Sequence, residues 1–436
     1  MPARPAVLVR PRDAAEVAAV LRACNEAVVP VTTCAGRSGV CGASIPVFGG
    51  VALDMTGMAG IVEVDDPSLL LRVLPGTFGD VLEDGLRAEH QVSLGHWPQS
   101  IQLSTVGGWL ACRSAGQYST RYGKIEDMVV GLHAILADGT LVETGGRAPR
   151  SAVGPDLTQL FVGSEGTLGV ITEATLRLHP VPRSEQRCAW GFASFADGLD
   201  ACRRILRRGA TPAVLRLYDA TETARTFSVE TNALIVLDEG DTAAVEATMA
   251  AVASECMATP EVVRLEPGLV DRWLEHRNDV SALPALVSRG IVLDTIEVAA
   301  RWSVLPRLYL DALAALDTVP GMLAASAHQS HAYPDGACLY FTWAVRLPDG
   351  GEVGGPEADA AYVRAWDAVT AVTLGLGGAL SHHHGVGLNR SRYVHDALGP
   401  GGTAVLAGLK TALDPRGILN PAKLGLGSPW GDAPWP

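Results

Sequence analysis

In AAEVAAVLRACNEA apolar side chains recur every three or four residues, and Asp13 stands where a side-chain oxygen can cap free amides. The spacing predicts a helix over 13–27. VVPVTTC is a β-branched run that predicts a strand, AGRSGVCGASIP is a small-residue loop, and GGVALDMTGM reads as a further strand and turn. Alternation returns in IVEVDDPSLLLRVLPG, TFGDVLEDGLRAEHQ reads as a helix, and short strands continue through GLHAILADGTLVETG to GVITEATLRLHPVP. The result is a mixed α+β unit ending near 181.

After the linker VPRSEQR the pattern lengthens: helix SFADGLDACRRILRRG, strand AVLRLYD, strand ALIVLDEG, helix DTAAVEATMAAVASEC. Such units predict a second, mixed α/β domain whose sheet carries helices on one face. The expected organisation is a first domain over 1–181, a second over 182–400, and a segment 401–436 that packs back on the first. That segment is rich in Pro and Gly, and its last ten residues are expected to be flexible.

Composition narrows the function. The 436 residues give room for two or three domains at roughly 100–200 residues each. Hydrophobic residues at 48% against charged residues at 19% exclude disordered and coiled-coil classes. Acidic residues outnumber basic ones 47 to 34, a net charge of -13, and no long basic run is present, which excludes nucleic acid as a partner. No stretch reaches ~18 uninterrupted apolar residues and the start lacks the apolar core of a signal peptide. A cytoplasmic protein without stable membrane insertion is expected. Eight cysteines without a CxxC pair predict reduced, buried thiols and no metal site.

Three segments carry candidate chemistry. In Cys34-Ala35-Gly36-Arg37-Ser38-Gly39-Val40-Cys41-Gly42 the glycines let backbone amides approach an anion and Ser38 adds a hydroxyl. It is neither a Walker nor a Rossmann loop. A second stretch runs from Gly95-His96-Trp97-Pro98 through Ser104-Thr105-Val106-Gly107-Gly108-Trp109, Arg113-Ser114-Ala115-Gly116-Gln117-Tyr118 and Tyr122-Gly123-Lys124-Ile125-Glu126-Asp127. Its glycines, hydroxyls and aromatics suit a backbone wrapping a flat, polar-edged ligand. The third, Gly163-Ser164-Glu165-Gly166-Thr167-Leu168-Gly169-Val170-Ile171-Thr172, is a turn leading into a strand.

These segments, with PxxxAEVAAVLR before them and DPRGILNPAKLG after, stand in the order found in the vanillyl-alcohol oxidase and p-cresol methylhydroxylase superfamily, which the chain resembles over nearly its whole length. The resemblance implies FAD between two α+β subdomains of a PCMH-type domain, under a separate substrate cap. FAD contacts are implied at Ala35, Gly36, Arg37, Ser38, Gly39, Val40, Pro98, Ser104, Thr105, Gly107, Gly108, Ser114, Gln117, Tyr118, Glu165, Gly166, Gly169, Val170 and Ile171. Some members tether FAD through a histidine of the first loop. This loop offers Arg37 and Ser38 instead, which implies non-covalent FAD.

The second domain holds Ser381-His382-His383-His384-Gly385-Val386-Gly387, three imidazoles able to act as acid or base near neutral pH. Adjacent residues cannot all face one point, so at most two share a site. Related 2-hydroxy acid dehydrogenases carry Glu-His-Gly-Ile-Gly here and a metal-ligating histidine upstream. This chain has His383 in place of the Glu, and Tyr340 in His331-Ala332-Tyr333-Pro334-Asp335-Gly336-Ala337-Cys338-Leu339-Tyr340 in place of the histidine, so metal assistance is disfavoured.

The same segments, with RSAGQYSTRYGKIEDMV, closely resemble alkylglycerone phosphate synthases. That family uses FAD without net redox change: flavin N5 attacks acyl dihydroxyacetone phosphate, the carboxylate leaves and a fatty alcohol replaces it. The resemblance implies Tyr340 as the proton-transfer group, His382, His383 and His384 as acid–base groups, and His96 near the flavin. It places Arg216 at the substrate's phosphate end and His331 on the substrate side. It also implies a small-molecule substrate and a homodimer. One position departs: a catalytic arginine of the synthases falls where this chain reads Ser281-Ala282-Leu283-Pro284-Ala285, and Arg277 and Arg289 match other family positions. Two other readings fit the same residues. One is an FAD-linked oxidase or dehydrogenase taking a hydride from an alcohol or 2-hydroxy acid, and the other is a flavin-binding protein without catalysis.

Overall fold

A computed structural model describes residues 3–278, 290–348 and 351–435. The chain forms two compact units. The first takes the residues through Gly116, then Gly123–Val181 and His383–Trp435; the second takes Gln117–Tyr122 and Pro182–His382. The C-terminal return thus begins at His383, where sequence reading carries the second domain on to 400.

The first unit opens with the helix Ala14–Ala27, capped by Asp13, whose side chain accepts from Glu16 N at 2.9 Å. Val17, Ala18, Leu21 and Cys24, one stripe of that helix, are buried against Val31, Leu53 and Ile418. Two sheets follow. Strands Val7–Val9, Val51–Asp54 and Val31–Cys34 form a parallel trio in that order. Strands Ile61–Asp65, Leu70–Val73, Val170–Arg177, Val129–Ile135 and Leu141–Gly145 form an antiparallel sheet. The expected α+β pair of subdomains is present. The C-terminal segment returns to the first sheet: Val31 N donates to Ile418 O at 2.8 Å and Asn420 N to Val31 O at 2.8 Å. Farther along, the Trp430 ring lies 6.0 Å from Phe48.

The second unit is a seven-stranded sheet ordered Val263–Leu265, Ser184–Phe192, Asn232–Gly240, Val214–Tyr218, Met322–Tyr333, Gly336–Arg346, Ile291–Arg301, every pair antiparallel. Helices Phe195–Arg207, Thr242–Met257, Leu305–Asp317 and Pro356–Gly375 supply the other half of its core. Alternation assigns the faces. Ala337, Leu339, Phe341, Trp343 and Val345 pack with Leu199, Val252, Leu308 and Trp366, so Cys338 and Tyr340 point to the opposite face. The same rule puts Leu215 and Leu217 among the helices and Arg216 and Tyr218 opposite. Sequence reading leaves that opposite face bare, but helices Ala220–Phe227 and Gly268–His276 bring Phe227 and Trp273 beside Tyr218 and Arg216 there.

Among the described residues no helix is long and apolar enough to cross a membrane. None of the eight cysteines is joined in a disulfide, and seven of them are buried.

Candidate functional site

On the opposite face of the second unit's sheet, His328 lies directly across from Tyr340 in the strand register. Their rings stack at 4.9 Å with 16° between planes. Arg216 Nη2 is 2.6 Å from His328 Nε2, and His328 Nδ1 is 2.9 Å from Glu222 Oε1. A guanidinium only donates and a carboxylate only accepts, so the imidazole is neutral, with its proton on Nδ1 and its Nε2 lone pair facing Arg216. Burial, then the Arg216 charge, lowers the His328 pKa in agreement with that state. Arg216 Nε donates to Tyr218 Oη at 2.7 Å. Its Nη1 has no partner and its charge has no carboxylate mate among the described residues. The Tyr340 hydroxyl is 3.0 Å from Thr295 Oγ1, and burial pushes the phenol up to about 12.

A bulge between Gln329 and His331 leaves Ser330 over and resets the alternation of that strand. His331 therefore pairs with Cys338 and Tyr333 with Gly336, on the face of His328 and Tyr340. Glu297, fully buried, accepts from Ser381 Oγ at 2.8 Å and from His382 N, which ties the start of the histidine segment to strand Ile291–Arg301. The His382 and His331 rings stack at 4.7 Å. Gln117 and Tyr118 also belong to this unit: Arg277 donates to Gln117 Oε1 at 3.0 Å and lies 5.3 Å from the Tyr118 ring. The segment Ser281–Ala285 and Arg289 lie outside the described residues.

In the first unit, strand Val31–Cys34 delivers the chain into the loop Cys34–Gly42. A Cβ on Gly36 would stand 2.0 Å from Leu103 O, so only glycine fits, and Arg37 turns left-handed at φ 57. Among the described residues the N–H groups of Gly36 through Val40 find no acceptor. Open space surrounds Gly39, and Ala35 packs toward the core.

Helix Val106–Cys112 follows Thr105, and Gly107 fits against Pro75, where a Cβ would come within 2.7 Å. Ser104 Oγ is taken by Trp109 Nε1 at 2.8 Å, and Pro98 O by Ile101 N at 3.1 Å. Thr105 Oγ1, beside Gly108, is buried without a partner among the described residues, as are Thr33 Oγ1 and His96 Nδ1. His96 is 1% exposed with Nε2 3.2 Å from Ser114 Oγ, and burial, helped by His383, drops its pKa to about 3, so the ring is neutral. The His383 and His384 rings meet edge to face at 4.5 Å.

The turn Gly163–Gly169 runs left-handed through Glu165 and Gly166. The Glu165 carboxylate accepts from Val386 N at 2.6 Å and Gly387 N at 2.8 Å, which fastens the chain just after the histidines. Burial pushes this carboxyl up to about 7 and pulls Lys423, whose charge it feels, down to about 8. Gly169 packs on Phe161, and Val170 and Ile171, both buried, begin the strand beyond.

Residues 5–145 match the FAD binding domain family, and residues 181–424, more than half of the chain, match the C-terminal domain of FAD linked oxidases. The chain belongs to the FAD-linked oxidase family. An uncharacterized FAD-linked oxidoreductase of Escherichia coli is 31% identical over 95% of this chain and 88% of its own. Alkyldihydroxyacetonephosphate synthase of Dictyostelium discoideum is 30% identical over 96% of this chain and 73% of its own. A solved alkyldihydroxyacetonephosphate synthase overlays with a TM-score of 0.78 at 28% identity, covering 96% of this chain and 77% of that one. p-Cresol methylhydroxylase gives 0.78 at 20% identity, covering 97% and 89%, and speaks for the fold alone. The PCMH-type fold, FAD as cofactor and an FAD-dependent enzyme follow.

The first unit fits that cofactor. The unclaimed amides of Gly36 to Val40 form a cradle for an anionic group, and Thr33, Thr105 and His96 present buried polar atoms that lack a partner among the described residues. Sequence reasoning missed Thr33, His328, Glu222, Thr295 and Glu297. No local signal marked His328, because the polar run His328-Gln329-Ser330-His331 breaks the period-two alternation that would assign it a face.

Proposed function

We propose that this enzyme is a redox-neutral FAD-dependent transferase of the alkyldihydroxyacetonephosphate synthase kind, with FAD held non-covalently. Its substrate is small, with a phosphate or carboxylate at one end. The observation that supports this reading is Arg216, a half-buried guanidinium fixed by His328 and Tyr218 with its Nη1 unpartnered among the described residues, on the same sheet face as Tyr340. Such a fork suits an anionic oxygen pair. FAD, when bound, supplies the ring that activates the substrate carbon. Tyr340, protonated at neutral pH because burial holds it near about 12, gives or exchanges a proton at that carbon while Thr295 holds its hydroxyl. His382 serves the incoming alcohol as acid–base group. The loop Cys34–Gly42 carries no histidine to which FAD could be tethered.

The test supplies acyl dihydroxyacetone phosphate and a long-chain alcohol to the FAD-loaded protein. Equal amounts of fatty acid and alkyl ether form, and Arg216→Ala lowers kcat/KM by roughly 10- to 100-fold, the worth of one charge-assisted hydrogen bond of about 1.5–3 kcal/mol. A second reading, an oxidase or dehydrogenase, is favoured by the relative named an FAD-linked oxidoreductase. It prevails if no exchange occurs and an alcohol or 2-hydroxy acid reduces the flavin.

A further inference from the structure

Four proton-carrying groups of the second unit stand in a row. Ser119, on the short helix Ser119–Tyr122, holds its Oγ 2.8 Å from His331 Nδ1 and 3.1 Å from Tyr333 Oη. Tyr333 Oη is in turn 3.0 Å from His382 Nε2. Ser119 and His331 are 2% and 4% exposed, so bulk water does not compete at that end. The Ser330 bulge builds the row: without it His331 and Tyr333 would face the helices. A hydroxyl has one proton to give and lone pairs to receive one, so a chain of two hydroxyls between two imidazoles can pass a proton from one ring to the other with neither hydroxyl left changed.

We propose that Ser119 and Tyr333 form a proton relay between His382 and His331. With His382 protonated, its Nε2–H bond breaks as the proton goes to Tyr333 Oη. Tyr333 releases its own proton to Ser119 Oγ, and Ser119 releases its own to His331 Nδ1. Three bonds to hydrogen break and three form, both hydroxyls end as they began, and one positive charge has moved from His382 to His331. The reverse run restores the start. The relay gives His382 an internal store for the proton it takes or delivers. It rests on the proposed function for the role of His382, and on the hydrogen-bonded row alone for its existence. Glu297, which accepts from His382 N, fixes the backbone at the His382 end of the row.

The experiment is nitrogen-15 exchange spectroscopy on FAD-loaded protein labelled at histidine. His331 Nδ1 and His382 Nε2 share one exchange rate, slowed in deuterium oxide. Ser119→Ala and Tyr333→Phe abolish the shared rate with FAD retention and far-ultraviolet dichroism unchanged, and Ser119→Thr, which keeps a hydroxyl, restores it. Separate rates at the two nitrogens, no exchange, or a shared rate that survives Tyr333→Phe overturns the relay. Because no turnover is read, loss of the transferase reading leaves this result standing, and a functioning transferase without the shared rate removes the relay alone.

Discussion

His328 does two things with one ring: its Nε2 receives Arg216 while its face lies on Tyr340. Removing it frees the guanidinium to swing and leaves the buried Glu222 carboxylate short of a donor. His328→Ala is expected to raise KM for an anionic substrate more than it lowers kcat, and to cost about 1–3 kcal/mol of stability in urea unfolding, the penalty for a stranded buried acceptor. An unchanged KM would separate His328 from substrate binding. Tyr340 and Arg216 were legible in the sequence because they sit in recognisable segments. His328 and Glu222 were not, because the contacts that define their work span 112 and 106 residues and exist only once the strands are in register.

At the scale of elements, the buried Glu165 carboxyl joins the turn Gly163–Gly169 to the amides after the histidine segment. Its pKa near about 7, against an ordinary 4.5, has a definite consequence for stability. Between those values the folded chain holds a proton that the unfolded chain has released. Stability from this site is therefore gained as pH falls toward 4.5 and lost as pH rises through 7. Glu165→Gln keeps an oxygen for Val386 and Gly387 and is expected to flatten the dependence of Tm on pH across that window. A native slope retained in the variant would place its origin elsewhere. The helix at 13–27 was legible because a cap and a 3.6-residue stripe are local signals. The Ser330 bulge was not, since nothing in HQSHAY marks which residue is left over until the facing strand is known.

For the whole molecule, sequence reading returns only 401–436 to the first domain, while the folded chain returns His383–Trp435 and lends Gln117–Tyr122 to the second unit. The cut falls inside the histidine triplet. Glu297 holds His382 to the second unit's sheet, and Glu165 holds Val386 and Gly387 in the first. Carboxylates 132 positions apart cannot be seen from HHHG alone (297 - 165). FAD was legible because its loops are local, whereas the substrate face is assembled from strands far apart in sequence. The central claim, a dissociable FAD used without net redox change, is tested most directly by the visible spectrum of the purified protein. It is recorded before and after denaturation, then anaerobically with acyl dihydroxyacetone phosphate, alcohols and 2-hydroxy acids in turn. The account predicts a yellow protein that releases all its FAD on denaturation and keeps its oxidised band at the end of reaction with the acyl ketone phosphate and alcohol. Flavin that stays with the denatured chain, or that an alcohol or 2-hydroxy acid bleaches lastingly, would contradict it.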